Sequence, residues 1–293
     1  MRVTAPFARH DLPLDRVKRI LDAAAARGVG AVSFTGGEPF LRIDDLLELI
    51  RYAGAAGIPM IRTGTNGFWL RDRGEAAWEQ RVERLAERLA ASPLRNLWIS
   101  IDSADAATHE QMRGFPNLIR GIERALPVFH RYGIYPSANL GLNRNTGGPA
   151  FAAWQQREAL RAGGADYLAA FAEGYRQALD RFYRFVESLG FTMVNTCYPM
   201  SVETGEAADG LAPVYAATAA DAVVRYRRAE KAVLFRVLAE VIAKWRSRLR
   251  IFTPLCALHH LRRHYETGAP EGYGCRGGID FFFIDAKIGR AHV

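Results

Sequence analysis

The chain has 293 residues, 49% of them hydrophobic and 24% charged, with a formal net charge of +8. That suits one barrel-sized globular domain or two smaller ones with a real core. No apolar run approaches the roughly 18 residues of a membrane span, and the N-terminus lacks the basic-then-apolar layout of a signal peptide, so the expected location is the cytoplasm, with no membrane partner.

The cations are mostly arginine, with lysine only at 18, 231, 244 and 287, and alanine is abundant, as a GC-rich genome would produce. The Arg225-Tyr226-Arg227-Arg228 and Arg262-Arg263-His264 runs read as solvated helix faces and not as a nucleic-acid surface, which needs basic clusters interleaved with exposed aromatics. The three cysteines, Cys197, Cys256 and Cys275, make no disulfide framework, and in a cytosolic chain they are thiols or metal ligands.

Leu12 to Arg27 has apolar residues at 14, 17, 20, 21 and 24, a helical spacing that Gly28 stops. Ala31 to Thr35 is a short apolar, β-branched run, predicted as a buried strand that breaks at Gly36-Gly37, with Pro39 barring an immediate helix. Ile43 to Ala56 is the next helix, with Asp44, Asp45 and Glu48 near its start where acids suit the dipole. Pro59 to Thr63 is a second strand ending in Gly64-Thr65-Asn66-Gly67. A helix from about Gly74 to Ala91 leads to a third strand, Asn96 to Ile101, which runs out at Asp102. Helical patterns at 105 to 113 and 117 to 132 precede a fourth strand, Tyr135 to Leu140. This succession implies parallel strands with right-handed crossovers.

After a turn at Asn143 to Gly148, an extended helical region from Pro149 to Leu189 carries Tyr167, Phe171, Tyr175, Leu179, Phe182 and Phe185 at helical spacing, a stripe that reads as core. A fifth strand, Phe191 to Thr196, has Cys197 and Pro199 at its end, and a helix from about Val214 to Arg248 finishes this part.

In a parallel α/β sheet, ligands sit at the carboxyl ends of strands, so Gly36, Gly37 and Glu38 would offer bare backbone and one acid to a small molecule. Singly, each polar residue at the exits has a plain reading. Asp102 could cap the next helix, His109 and Arg113 could share a solvated face, and Asn66 suits any turn.

Taken as an ordered set, the exits Gly36-Gly37-Glu38-Pro39, Thr65-Asn66-Gly67, and Ser100-Ile101-Asp102 followed by His109 and Arg113-Gly114 resemble the radical S-adenosylmethionine (SAM) enzymes. The resemblance implies a partial (β/α)6 TIM-like barrel of α/β class. It implies that Gly36, Gly37, Glu38 and Pro39 bind the amino end of SAM, with Asn66 one strand later, that Ser100 and Arg113 meet its carboxylate, and that Asp102 reaches the ribose. A zwitterionic cofactor needs acceptors for its ammonium, and a hydroxyl and a guanidinium for its carboxylate. Asn139 and Asn143 at the fourth strand, and Cys197 after the fifth, stand where the family places ribose and adenine contacts.

The family also implies a 4Fe-4S cluster held by Cys-x3-Cys-x2-Cys, and this chain contains no such triplet. The expectation is therefore a fragment lacking its first strand and cluster loop, inactive by itself. Ile288 to Val293 matches one reading frame of a common sequencing adapter, so 287 to 293 is expected to be an artefact. Cys275-Arg276-Gly277-Gly278 and the Ile279 to Asp285 strand resemble the opening of a SPASM or twitch auxiliary-cluster region, with Cys256 and Cys275 as two auxiliary ligands. His259, His260 and His264 beside Cys256 make only a thin zinc pattern.

The expected domains are thus 1–250 for the barrel, including the helical region 149–189, and 251–286 for the auxiliary region. The expected activity is reductive cleavage of SAM to a 5′-deoxyadenosyl radical that abstracts hydrogen from a peptide or small-molecule substrate, fed by an external electron donor. Two alternatives stay open. One is a degenerate member that binds a partner or precursor peptide without turnover; the other is a cluster-independent barrel enzyme using Glu38 and Asp102 as acid and base.

Overall fold

A computed structural model describes residues 11–72, 74–158, 164–198, 222–268 and 279–284, and the backbone of 291–292. Six strands, β1 (Ala31–Phe34), β2 (Met60–Thr65), β3 (Asn96–Ser100), β4 (Ser137–Gly141), β5 (Met193–Cys197) and β6 (Arg250–Ile251), form one parallel sheet in the order of the chain. Helix α1 (Leu14–Ala26) precedes β1, and among the described residues the helices between the strands are α2 (Ile43–Ala55), α3 (Trp78–Ala90), α4 (Ala106–Arg113), α5 (Leu118–Arg131), α6 (Pro149–Arg157), α7 (Ala165–Ser188) and α8 (Arg228–Trp245); α9 (Leu255–Thr267) follows β6. This is the α/β architecture expected of a partial TIM-like barrel. Among the described residues, no helix is long and apolar enough to cross a membrane.

Alternation along the strands separates two faces. Ile61, Leu97, Ile99, Ala138, Leu140 and Val194 are buried in a core shared with Leu47, Ile50, Val82, Leu126 and Phe129 of the surrounding helices. The other face carries Arg62, Asn96, Trp98, Ser100, Asn139, Asn195 and Cys197, all half-buried or exposed. In a partial barrel of parallel strands this is the inner, concave face, the other being covered by the helices.

The structure departs from expectation in several places. The helix expected from Val214 begins at Arg228 within the described residues, because Tyr226 is drawn into the core, where its hydroxyl meets that of Tyr175 at 2.5 Å. The three arginines of the Arg225–Arg228 run are exposed as expected, but the run leads into the helix instead of forming a face of it, and Tyr226 is buried. The region 149–189 contains two helices, α6 and α7, and its aromatic stripe is core as expected. The sixth strand, unanticipated because only two residues long, straddles the boundary expected at 250, and α9 packs on α8. Ala291–His292, in the stretch expected to be artefactual, pairs antiparallel with Phe283–Ile284.

Candidate cofactor site at the strand exits

At the first exit, Gly36 and Gly37 have φ of +89° and +51°, a region that disfavours side chains, and a Cβ built on either meets nothing within 4 Å. The glycine pair is therefore dictated by backbone conformation and leaves bare peptide open above it. Glu38 caps the one-turn 3-10 helix Pro39–Arg42, whose first position suits Pro39 because no N–H is needed there.

The Glu38 carboxylate reaches across to the next strand. Its Oε1 accepts from Phe40 N (3.1 Å) and Thr65 Oγ1 (2.8 Å), and its Oε2 from Asn66 N (2.6 Å). Burial pushes this carboxyl above its ordinary value, against the pull of those hydrogen bonds and of the Arg113 charge. Thr65 is the hub of the second exit: while donating to Glu38, its hydroxyl accepts from Gly67 N (3.0 Å) and Trp69 Nε1 (3.1 Å). Asn66 Oδ1 accepts from Phe68 N (2.9 Å), and Phe40 stacks on Trp69 at 5.1 Å.

At the third exit, Asp102 and Arg113 form a two-pronged pair, Nε to Oδ2 at 2.5 Å and Nη2 to Oδ1 at 2.7 Å. His109 Nδ1 accepts from Asp102 N at 3.1 Å, which puts the imidazole proton on Nε2, and Nε2 has no partner among the described residues. Burial lowers the His109 pKa to about 4, against the raising effect of Asp102, so the ring is neutral near pH 7. Asn143 Nδ2 ties this exit to the fourth, donating to the carbonyls of Asp102 (2.8 Å) and Gly141 (2.7 Å).

Of the residues singled out in the sequence, Glu38, Asn66, Asp102 and Arg113 come together at one end of the sheet, and the two acids have partners. Ser100 is half-buried in register with Asn139, and Asn139 Oδ1 accepts from Asn195 Nδ2 (2.8 Å) and Cys197 Sγ (3.4 Å). Burial raises the Cys197 pKa, opposed by the Asn139 hydrogen bond and by Arg62. Cys256 is exposed on α9, close enough to Tyr198 for its charge to act there, and Cys275 lies outside the described residues. Among the described residues, no group of three His, Cys, Asp or Glu side chains could hold a metal ion, so these residues do not supply a cluster's ligand set. A cavity of about 520 Å³ lined by Trp154, Asp166 and Tyr167 shares no residue with the exits.

The profile of the Radical SAM superfamily matches residues 3–149, which takes in the first three exits and the loop after β4. The chain belongs to the Radical SAM superfamily. Curated relatives are enzymes. A GTP 3′,8-cyclase of Mannheimia succiniciproducens is 32% identical over 120 residues, covering 40% of this chain and 32% of that protein. An AdoMet-dependent heme synthase of Nitratidesulfovibrio vulgaris is 27% identical over 199 residues, covering 63% of this chain and 51% of that protein. The chain thus spans about a third to a half of the length of these relatives. A solved structure titled native anSMEcpe with bound AdoMet superposes with a TM-score of 0.51 at 14% identity, covering 94% of this chain and 63% of that one, a likeness of fold.

Sequence reading passed over Thr65, Arg62, Trp98 and Asn195. Thr65 lay in plain view inside Thr65-Asn66-Gly67, and the other three follow the every-second-residue rule for the concave face.

Proposed function

We propose that these exits bind S-adenosylmethionine for a radical SAM enzyme. The observation that carries this reading is the cross-strand weld: Glu38 is held by Thr65 and Asn66 of the neighbouring exit, beside two open left-handed glycines and within the field of the Arg113 charge. Bare peptide groups at Gly36 and Gly37, with a fixed acid, suit the amino end of a zwitterion. Among the described residues the Ser100 hydroxyl has no partner, Arg113 keeps one terminal nitrogen outside its pair with Asp102, and Asn139 offers amide edges beside it. When bound, SAM and a 4Fe-4S cluster supply radical hydrogen abstraction; the described residues orient the cofactor and hold its charged end. An auxiliary cluster using Cys256 and Cys275, and a peptide substrate, belong to the same proposal. The small-molecule chemistry in the relatives' names, GTP cyclisation and heme synthesis, supports a small-molecule substrate at least as well.

Equilibrium dialysis of radiolabelled SAM against the purified chain tests the reading without turnover. Binding should weaken about tenfold in Glu38→Gln, the loss of one charge-assisted contact. No saturable SAM binding by the folded chain, or equal affinity in the variant, would sink it.

A further inference from the structure

The concave face has a chemistry that the exits do not explain. Arg62, Asn96, Trp98, Ser100, Asn139, Asn195 and Cys197 alternate onto it, and no acid is among them. The carboxylates of the strand exits, Glu38 and Asp102, are already engaged. Arg62 makes no ion pair or side-chain hydrogen bond among the described residues. Its register partners Ser33 and Asn96 are both uncharged, and among the described residues its guanidinium has no counterion. An exposed arginine on an outer helix would be unremarked. One that strand alternation sets on the hollow side of a parallel sheet, among uncharged neighbours, is placed to meet a ligand.

Trp98 makes the floor. A Cβ on Gly64 would lie 1.9 Å from the Trp98 ring, so the indole lies directly against the β2 backbone, and only glycine permits it. Along the same wall, Asn139 and Asn195 are joined at 2.8 Å and keep donors and acceptors to spare. One unpaired guanidinium, a flat indole and an amide pair suit an anion attached to a planar or hydrogen-bonding body.

We propose that the concave face binds the substrate of this enzyme through an anionic group, carboxylate or phosphate, and that Arg62 is the residue that selects it. The proposal rests on the reading of the strand exits as the SAM site, since it assigns the remaining hollow to the second reactant.

The test needs neither SAM nor a cluster. In the full chain with Cys256→Ser and Cys275→Ser, Cys197 is the sole thiol, and its reaction with dithiobis-nitrobenzoate, an anionic aromatic disulfide, is compared with that of the uncharged dithiodipyridine. Arg62→Gln should slow the anionic reagent about tenfold more than the neutral one, the size of a local steering effect, the neutral reagent registering only the rise in the Cys197 pKa that follows loss of the Arg62 charge. Arg62→Lys should restore most of the difference. Pyrophosphate or citrate should protect Cys197 in the wild-type background and not in Arg62→Gln, and whichever protects at lower concentration identifies phosphate or carboxylate as the group. An equal effect of Arg62→Gln on both reagents overturns the proposal, and so does failure of both anions to protect. Protection by SAM alone would assign Arg62 to the cofactor and overturn it too. Failure of SAM dialysis with these rates as expected would sink the SAM reading and leave the anion site standing.

Discussion

The two halves of the molecule bury polar groups in opposite ways. In the first three strand exits, polar side chains reach to the neighbouring exit, as Glu38 does in accepting from Asn66 N and Thr65 Oγ1. Beyond β4, a buried ion pair is sealed in aromatic rings: Arg144 meets Glu230 at 2.8 Å, Tyr167 donates to Glu230 at 2.6 Å, and Tyr226 lies under the Arg144 guanidinium at 4.5 Å. Burial alone would push the Glu230 carboxyl up, but the hydrogen bonds from Arg144 and Tyr167 hold it below its ordinary value. The first arrangement leaves peptide groups and charge facing a hollow. The second turns its charges on one another, and its use is to fix α7 and α8 against the β4 exit.

The sharpest break in that comparison is Glu230→Gln. It strands a buried guanidinium and should cost about 3–5 kcal/mol in urea denaturation, whereas SAM affinity of the folded fraction should be unchanged. His109 comes next. Its folded pKa is depressed to about 4, below an unfolded value near 6.5, so its contribution is present above about pH 6.5 and is lost as pH falls towards 4. Wild-type stability should drop by about 3 kcal/mol across that window, and His109→Phe should flatten the slope by one proton, read from denaturation series at several pH values.

Gly64→Ala should cost about 1–3 kcal/mol by displacing the Trp98 indole, and Trp98 fluorescence should shift while the spectrum of Gly64→Ala with Trp98→Ala does not. The smallest effect on stability is expected for Glu38→Gln, about 1 kcal/mol, although it carries the tenfold loss of SAM binding described above. If Glu230→Gln altered SAM binding as much as Glu38→Gln, the division between a ligand-facing half and a sealed half would be wrong.

Much of this was legible in the sequence where one residue type answers one physical demand. Gly36 and Gly37 announce positive φ, and the strands Ala31–Phe34 and Asn96–Ser100 announce themselves by composition. The ordered exits were enough to name the superfamily. The partners of the acids were not legible. Asp102 and Arg113 both read as ligand contacts, and only the turn of α4 shows that they bond one another first. Tyr226 was hidden by its arginine neighbours, because a basic run reads as solvated whether or not an aromatic within it finds a pocket. β6, at two residues, is too short to display any period.

The order of the strands has a consequence for how the chain is made. Each strand from β2 to β6 hydrogen-bonds the strand that precedes it in the sequence. A nascent chain leaving the ribosome at roughly 5–20 residues per second can therefore lay each βα unit on a finished edge, never holding a strand open for a partner not yet translated. The ion pair between Arg144 and Glu230, 86 residues apart, is the exception: Arg144 must wait several seconds for its counterion, during which the young protein carries a bare charge where its aromatic core will close.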